Sequence, residues 1–73
     1  MITGEIEIGK KYLSPPGWHA QGAKNCTMDR TIWDVDKIEG GIIYVSSTNG
    51  WGQWIRLQEK ETKFREGWDP YVR

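Results

Sequence analysis

The chain has 73 residues and carries five Trp, three Tyr and one Phe in a sequence whose ten basic and ten acidic residues cancel. That length allows one domain, residues 1–73, with one small core, because folds of this size bury only about 60% of the surface their unfolded chains expose. The charge balance excludes a global pull toward nucleic acid or an anionic membrane. The longest apolar run, Ile42-Ile43-Tyr44-Val45, falls far short of the ~20 residues of a membrane span.

Met1-Ile2-Thr3-Gly4-Glu5 lacks the basic and apolar regions of a secretory signal, and Cys26 is alone and cannot form an internal disulfide. A reducing, cytoplasmic setting is the expectation. Glu5-Ile6-Glu7-Ile8 alternates charged and apolar residues, the mark of a strand with one face on a core. Gly9 interrupts it, and Lys10-Lys11-Tyr12-Leu13 continues after a bend at that glycine. Pro15 and Pro16 cannot donate to a sheet ladder, so Ser14 to about Asn25 reads as a long loop.

Thr27 to Ile38 is expected as one long second strand. Unbroken, it would mix charged and apolar residues on both faces. A bulge near Asp36 or Lys37 resolves this by bringing Val35 and Ile38 to one side. Glu39-Gly40-Gly41 then predicts a tight hairpin turn, since both glycines accept positive φ. Ile42 to Ser46 returns, and Asn49-Gly50 predicts a second, type I′ turn leading to Gln53-Trp54-Ile55-Arg56-Leu57. After Leu57 the spacing changes. Glu59 with Lys63 and Glu61 with Arg65 sit four apart in the acid-first order, and Gly67 stands where a helix C-cap glycine would, predicting a short helical turn near residues 58–66. Trp68-Asp69-Pro70-Tyr71-Val72 can add a last short strand or pack as an ordered tail.

The expected class is therefore mostly β. Ile8-Gly9-Lys10-Lys11-Tyr12, Trp33-Asp34-Val35, Gly41-Ile42-Ile43-Tyr44-Val45 and Trp54-Ile55-Arg56-Leu57, followed by an acidic-basic turn near Phe64, together resemble small SH3-like barrel proteins, including short accessory proteins of tailed bacteriophages. The resemblance implies a five-stranded barrel whose closure removes exposed sheet edges. It also implies a binding groove between the long first loop and the distal hairpin, lined by Trp18, Trp51 and Tyr44, and a host cytoplasm as the place of action if the chain is phage-encoded.

No residue constellation points to catalysis. His19 and Cys26 are one imaginable base and nucleophile, yet no oxyanion-type motif surrounds Cys26. One His, one Cys and scattered carboxylates lack paired zinc-ligand spacing. Asp29, Asp34 and Asp36 read as a solvated strand face, and Gly50-Trp51-Gly52 lacks the lysine and helix of a phosphate loop. No cofactor is implied.

The aromatics carry the functional question. A chain this short needs large side chains in its core, and Trp33 and Trp54, in mid-strand positions, are expected there. Trp18 and Trp51 lie in loops rich in Gly or Pro, where a rigid scaffold presents recognition groups. Trp18, Trp51, Tyr44 and His19 are the candidate residues for binding a protein partner, with Trp18 alternatively plugging an open barrel end. Lys10, Lys11, Lys24 and Arg30 are a regional basic excess that, with Trp18, would form the alternative nucleic-acid surface, tracking phosphates while the indole stacks a base. A homodimer that hides the aromatic patch is the third possibility.

Overall fold

In the computed structural model the alternation that opens the chain does not become a strand. Glu5-Ile6-Glu7-Ile8 is irregular, and the chain turns at Gly9, whose φ is +89°. The first strand is shorter and later than expected. The strands are β1 (Lys11–Leu13), β2 (Cys26–Thr27), β3 (Arg30–Glu39), β4 (Ile42–Thr48), β5 (Trp54–Lys60) and β6 (Asp69–Pro70), with one helix, α1 (Glu61–Gly67), between the last two. The structure describes all residues except Met1, Ala20, Gln21, Asn25, Met28, Asp29, Val72 and Arg73. The carboxylate of Asp29 and the far end of the C-terminal segment therefore lie outside the described residues.

The expected long strand from Thr27 is split. β2 folds back on β3 in an antiparallel pair that matches Cys26 with Thr31 and Thr27 with Arg30. Further along β3 the register with β4 shifts between Val35 and Lys37, at the bulge the sequence called for. Val35 then faces Val45 and Ile38 faces Ile43, so Val35 and Ile38 share a sheet face. Val35 is buried, whereas Ile38 lies near the hairpin end and is exposed. The hairpin turn is the one predicted, with φ of +59° at Gly40 and +77° at Gly41.

β5 stays paired with β4 as far as Ile42↔Lys60, so Gln58 and Glu59 belong to the ladder and α1 begins only at Glu61. The Glu61–Arg65 pair forms as expected, at 2.9 Å. Gly67 is the last helical residue and has no positive φ, so it is not a left-handed cap. Its bare Cα instead lets the helix end lie against Pro15, whose Cγ would be 3.4 Å from any added Cβ.

The strands form one antiparallel sheet in the order β5-β4-β3-β1-β6, with β2 attached to β3 outside that path. There are six strands, and the sheet does not close, because β5 and β6 remain at opposite ends of the path. The start of the chain packs on α1: Ile2 N–H donates to Arg65 C=O at 2.9 Å, and the Arg65 guanidinium donates to Gly4 C=O at 2.6 Å. Residues 9 and 10 stay on β3, with Gly9 N–H donating to Val35 C=O at 2.9 Å and Val35 N–H to Lys10 C=O at 3.1 Å.

One sheet face and the helix enclose the core of Ile2, Tyr12, Trp33, Val35, Ile43, Val45, Phe64 and Trp68. Ile6, Ile55 and Leu57 pack around it, half buried. Phe64 and Trp68, four apart, stack at 4.6 Å, and Tyr12 meets the Phe64 ring edge-on at 5.3 Å. Such ring pairs add about 0.5–1.5 kcal/mol each beyond the area they bury. Aromatic packing thus does much of the work that a larger core would do in a longer chain.

Candidate functional site

The β4–β5 connection is not the two-residue turn that Asn49-Gly50 suggests. Its positive φ falls on Gly52 (+80°) and not on Gly50. Asn49 organises the loop with its side chain: Oδ1 accepts the backbone N–H of Trp51 at 2.9 Å and of Gln53 at 3.0 Å, while Nδ2 donates to Gln53 Oε1 at 3.0 Å. An Asn at a turn start commonly does this, because its short amide reaches the backbone two residues on. Main-chain bonds close the same loop, with Asn49 N–H donating to Gln53 C=O at 3.0 Å and Gly52 N–H to Asn49 C=O at 3.1 Å. Trp51 sits on this fixed loop and is 86% exposed.

The long first loop docks on the same end of the sheet. Lys24 N–H donates to Thr48 C=O at 2.7 Å and Gly50 N–H to Gly22 C=O at 3.1 Å, and Ala23 bridges to Asn49. The loops bearing Trp18 and Trp51 are therefore joined by backbone hydrogen bonds.

Trp18 is anchored through its own backbone. Its N–H donates to Pro15 C=O at 2.9 Å, and its C=O accepts the Ser14 hydroxyl at 2.7 Å. The ring lies over two buried indoles, 5.9 Å from Trp33 and 6.1 Å from Trp68, and these two are 6.1 Å apart. Trp18 is 43% exposed, so it both covers the core and offers part of an indole to solvent. The Nε1 atoms of Trp33 and Trp68 find no acceptor among the described residues, so packing holds these rings in place. His19 follows Trp18 and is exposed.

Tyr44 is elsewhere. It alternates with the buried Ile43 and Val45, which puts it on the opposite sheet face, and it stands five residues, about 17 Å of strand, from Asn49. There it borders a depression with Asp36, Lys37, Arg56 and Gln58, and the Lys37 ammonium lies 5.4 Å from its ring centre. The first loop and the β4–β5 loop come together; Tyr44 does not join them.

The four basic residues are mostly engaged. Lys11 pairs with Asp34 across the β1–β3 ladder at 2.6 Å, and Lys10 lies 4.0 Å from Glu7. Arg30 acts as a fastener, donating through Nε to Ser14 C=O at 2.6 Å and through a terminal nitrogen to Asp69 at 2.7 Å. Lys24 is exposed on the docked loop. Cys26 is exposed on β2.

Trp54 overturns an expectation. It is 61% exposed instead of buried. The signal was present: Trp54 has the parity of Arg56 and Gln58, on the polar side of an alternating strand, while Ile55 and Leu57 take the core side. Asn49, which fixes the pose of Trp51, was read only as a turn former.

Comparisons with protein families, characterised proteins and solved structures give no match to this chain.

Proposed function

We propose that the chain is a non-catalytic binding module that recognises a protein partner through the aromatic residues of its two joined loops, with Trp51 as the leading contact and Trp18 and His19 as further contacts. Trp51 carries the proposal. An 86% exposed indole costs solvation free energy unless a partner covers it, and here it rides on a loop held by five hydrogen bonds from or to Asn49. Aromatics on preorganised loops contribute strongly to binding energy at protein interfaces, because little loop entropy is lost on contact.

The finer kinship we infer is with small SH3-like barrel proteins, in an open form. Its support is the strand order β5-β4-β3-β1-β6 with a short helix ahead of the last strand and a long loop after β1. An accessory protein of a tailed bacteriophage, acting on a host protein in the host cytoplasm, is the role that this kinship suggests. Tyr44 contributes to it only if the partner also reaches the opposite face.

Nucleic-acid binding has less behind it, since Lys11 and Arg30 already satisfy Asp34 and Asp69. The deciding experiment is affinity capture with the wild type and a Trp18→Ala, Trp51→Ala double variant whose folding is checked by circular dichroism. A partner held by the wild type and released by the double variant is expected. Equal recovery by both would remove the loop aromatics as the binding surface. Salt-sensitive anisotropy changes with single-stranded DNA would favour the nucleic-acid alternative.

A further inference from the structure

The open sheet ends on β5, and its outer edge is the largest unmatched backbone surface among the described residues. Ladder parity identifies the groups concerned. Asn49 N–H to Gln53 C=O and Glu61 N–H to Gly41 C=O are bonded at the two ends of the β4–β5 pair. Bonded and non-bonded positions alternate in an antiparallel pair, so Ile55, Leu57 and Glu59 direct their backbone groups to β4. Trp54, Arg56, Gln58 and Lys60 direct theirs outward, where no strand pairs with them among the described residues. The Lys60 N–H turns to the Glu59 carboxylate at 3.2 Å, as an outward donor would. Ile55 and Leu57, on the core side of the same strand, are only half buried.

We infer that a second copy of the chain pairs with this edge, β5 against β5 in antiparallel register with Leu57 on the two-fold axis. The side chains select that register. Centred on Leu57, the outward positions match Arg56 with Gln58 and Trp54 with Lys60 of the second copy, and Leu57 meets its own counterpart. Centring on Arg56 opposes two guanidinium groups, and centring on Gln58 opposes Arg56 and Lys60; like charges directly opposite destabilise a pair. In the Leu57 register the Trp54 ring lies opposite an ammonium, a favourable cation–π arrangement. The exposed Trp54 thereby acquires a partner that leaves Trp51 free.

Seven residues give an edge of about 24 Å, so the interface is small and the dimer concentration-dependent. Sedimentation from about 1 μM to about 1 mM tests it. The wild-type mass should rise from 8.5 kDa toward twice that value as concentration increases. Gln58→Glu places a carboxylate opposite Arg56 twice per dimer, and Gln58→Lys places an ammonium there. At low salt the first should tighten and the second weaken association, each by roughly 2- to 30-fold. Residue 58 is exposed, so both variants fold, and Trp51→Ala should leave the association unchanged. A wild type that stays monomeric over the whole range overturns the inference, as do Glu and Lys variants that shift association in the same direction.

Discussion

The Ser14 hydroxyl joins the Trp18 loop to β3: it donates to the Trp18 carbonyl at 2.7 Å and accepts the Thr31 N–H at 2.9 Å. Ser14 is fully buried, so one small polar side chain ties the aromatic loop to the core strand β3. Ser14→Ala removes both bonds in a place water does not reach. The expected cost is about 1–3 kcal/mol. In a domain of this size each kcal/mol lowers the Tm by roughly 4–8 °C, which thermal denaturation followed by circular dichroism measures. A Tm within a degree or two of wild type would show that the loop holds Trp18 by other means.

Burial and exposure separate on different aromatics. Phe64→Ala should cost about 3–5 kcal/mol, because Phe64 is fully buried between Tyr12 and Trp68. Trp51→Ala should stay within about 0.5 kcal/mol, as surface substitutions do. Urea denaturation of the two variants side by side checks both values. A large loss at Trp51 would mean that its ring packs on the protein.

The bulge in β3 predicts which deletion the sheet tolerates. Removing Asp36 makes the β3–β4 ladder regular while Val35, Val45, Ile38 and Ile43 keep their face. Removing Ser46 from β4, which has no bulge with β5, turns one side of the strand over and sends core residues outward. The Asp36 deletion should remain folded, and the Ser46 deletion should lose most of the ~5–15 kcal/mol typical of a native domain. Amide dispersion in a two-dimensional NMR spectrum distinguishes them.

Arg30 and Lys24 differ in what they hold in the fold. Arg30→Ala breaks charge-assisted hydrogen bonds to Ser14 and Asp69 and should cost about 1.5–3 kcal/mol, whereas Lys24→Ala should be near neutral. Chemical denaturation reads both. An Arg30 variant as stable as wild type would show that the fastener contributes nothing.

Much of the architecture was legible from local rules. The Gly40-Gly41 turn and the bulge each follow from a short peptide whose chemistry allows few alternatives, and of the two forms open to the last segment the chain takes the short strand, at Asp69–Pro70. One failure was decided at a distance and two by local detail. Glu5 to Ile8 has a strand's alternation, but contacts with Arg65, some sixty residues later, draw the neighbouring segment onto the helix. The second turn was misplaced because the Asn49 side chain, and not backbone conformation at Gly50, sets its length. For the site, loop position correctly singled out Trp18 and Trp51 as solvent-facing, but it could not show that Trp18 also rests on Trp33 and Trp68. Trp54 was misassigned by weighing residue type over parity.

The pairing of β1 with β6, and of Ile2 with Arg65, has a consequence for how the molecule is made. During synthesis the hairpins from β3 to β5 can form as soon as they emerge, because their partners are adjacent in sequence. The three-indole cluster cannot, since Trp68 arrives last and Trp18 has nothing complete to lie on until it does. A growing chain therefore holds its apolar face open until Trp68 has emerged, and only then acquires both its core and the surface on which Trp18 lies. The last indole to be made completes the support for the first.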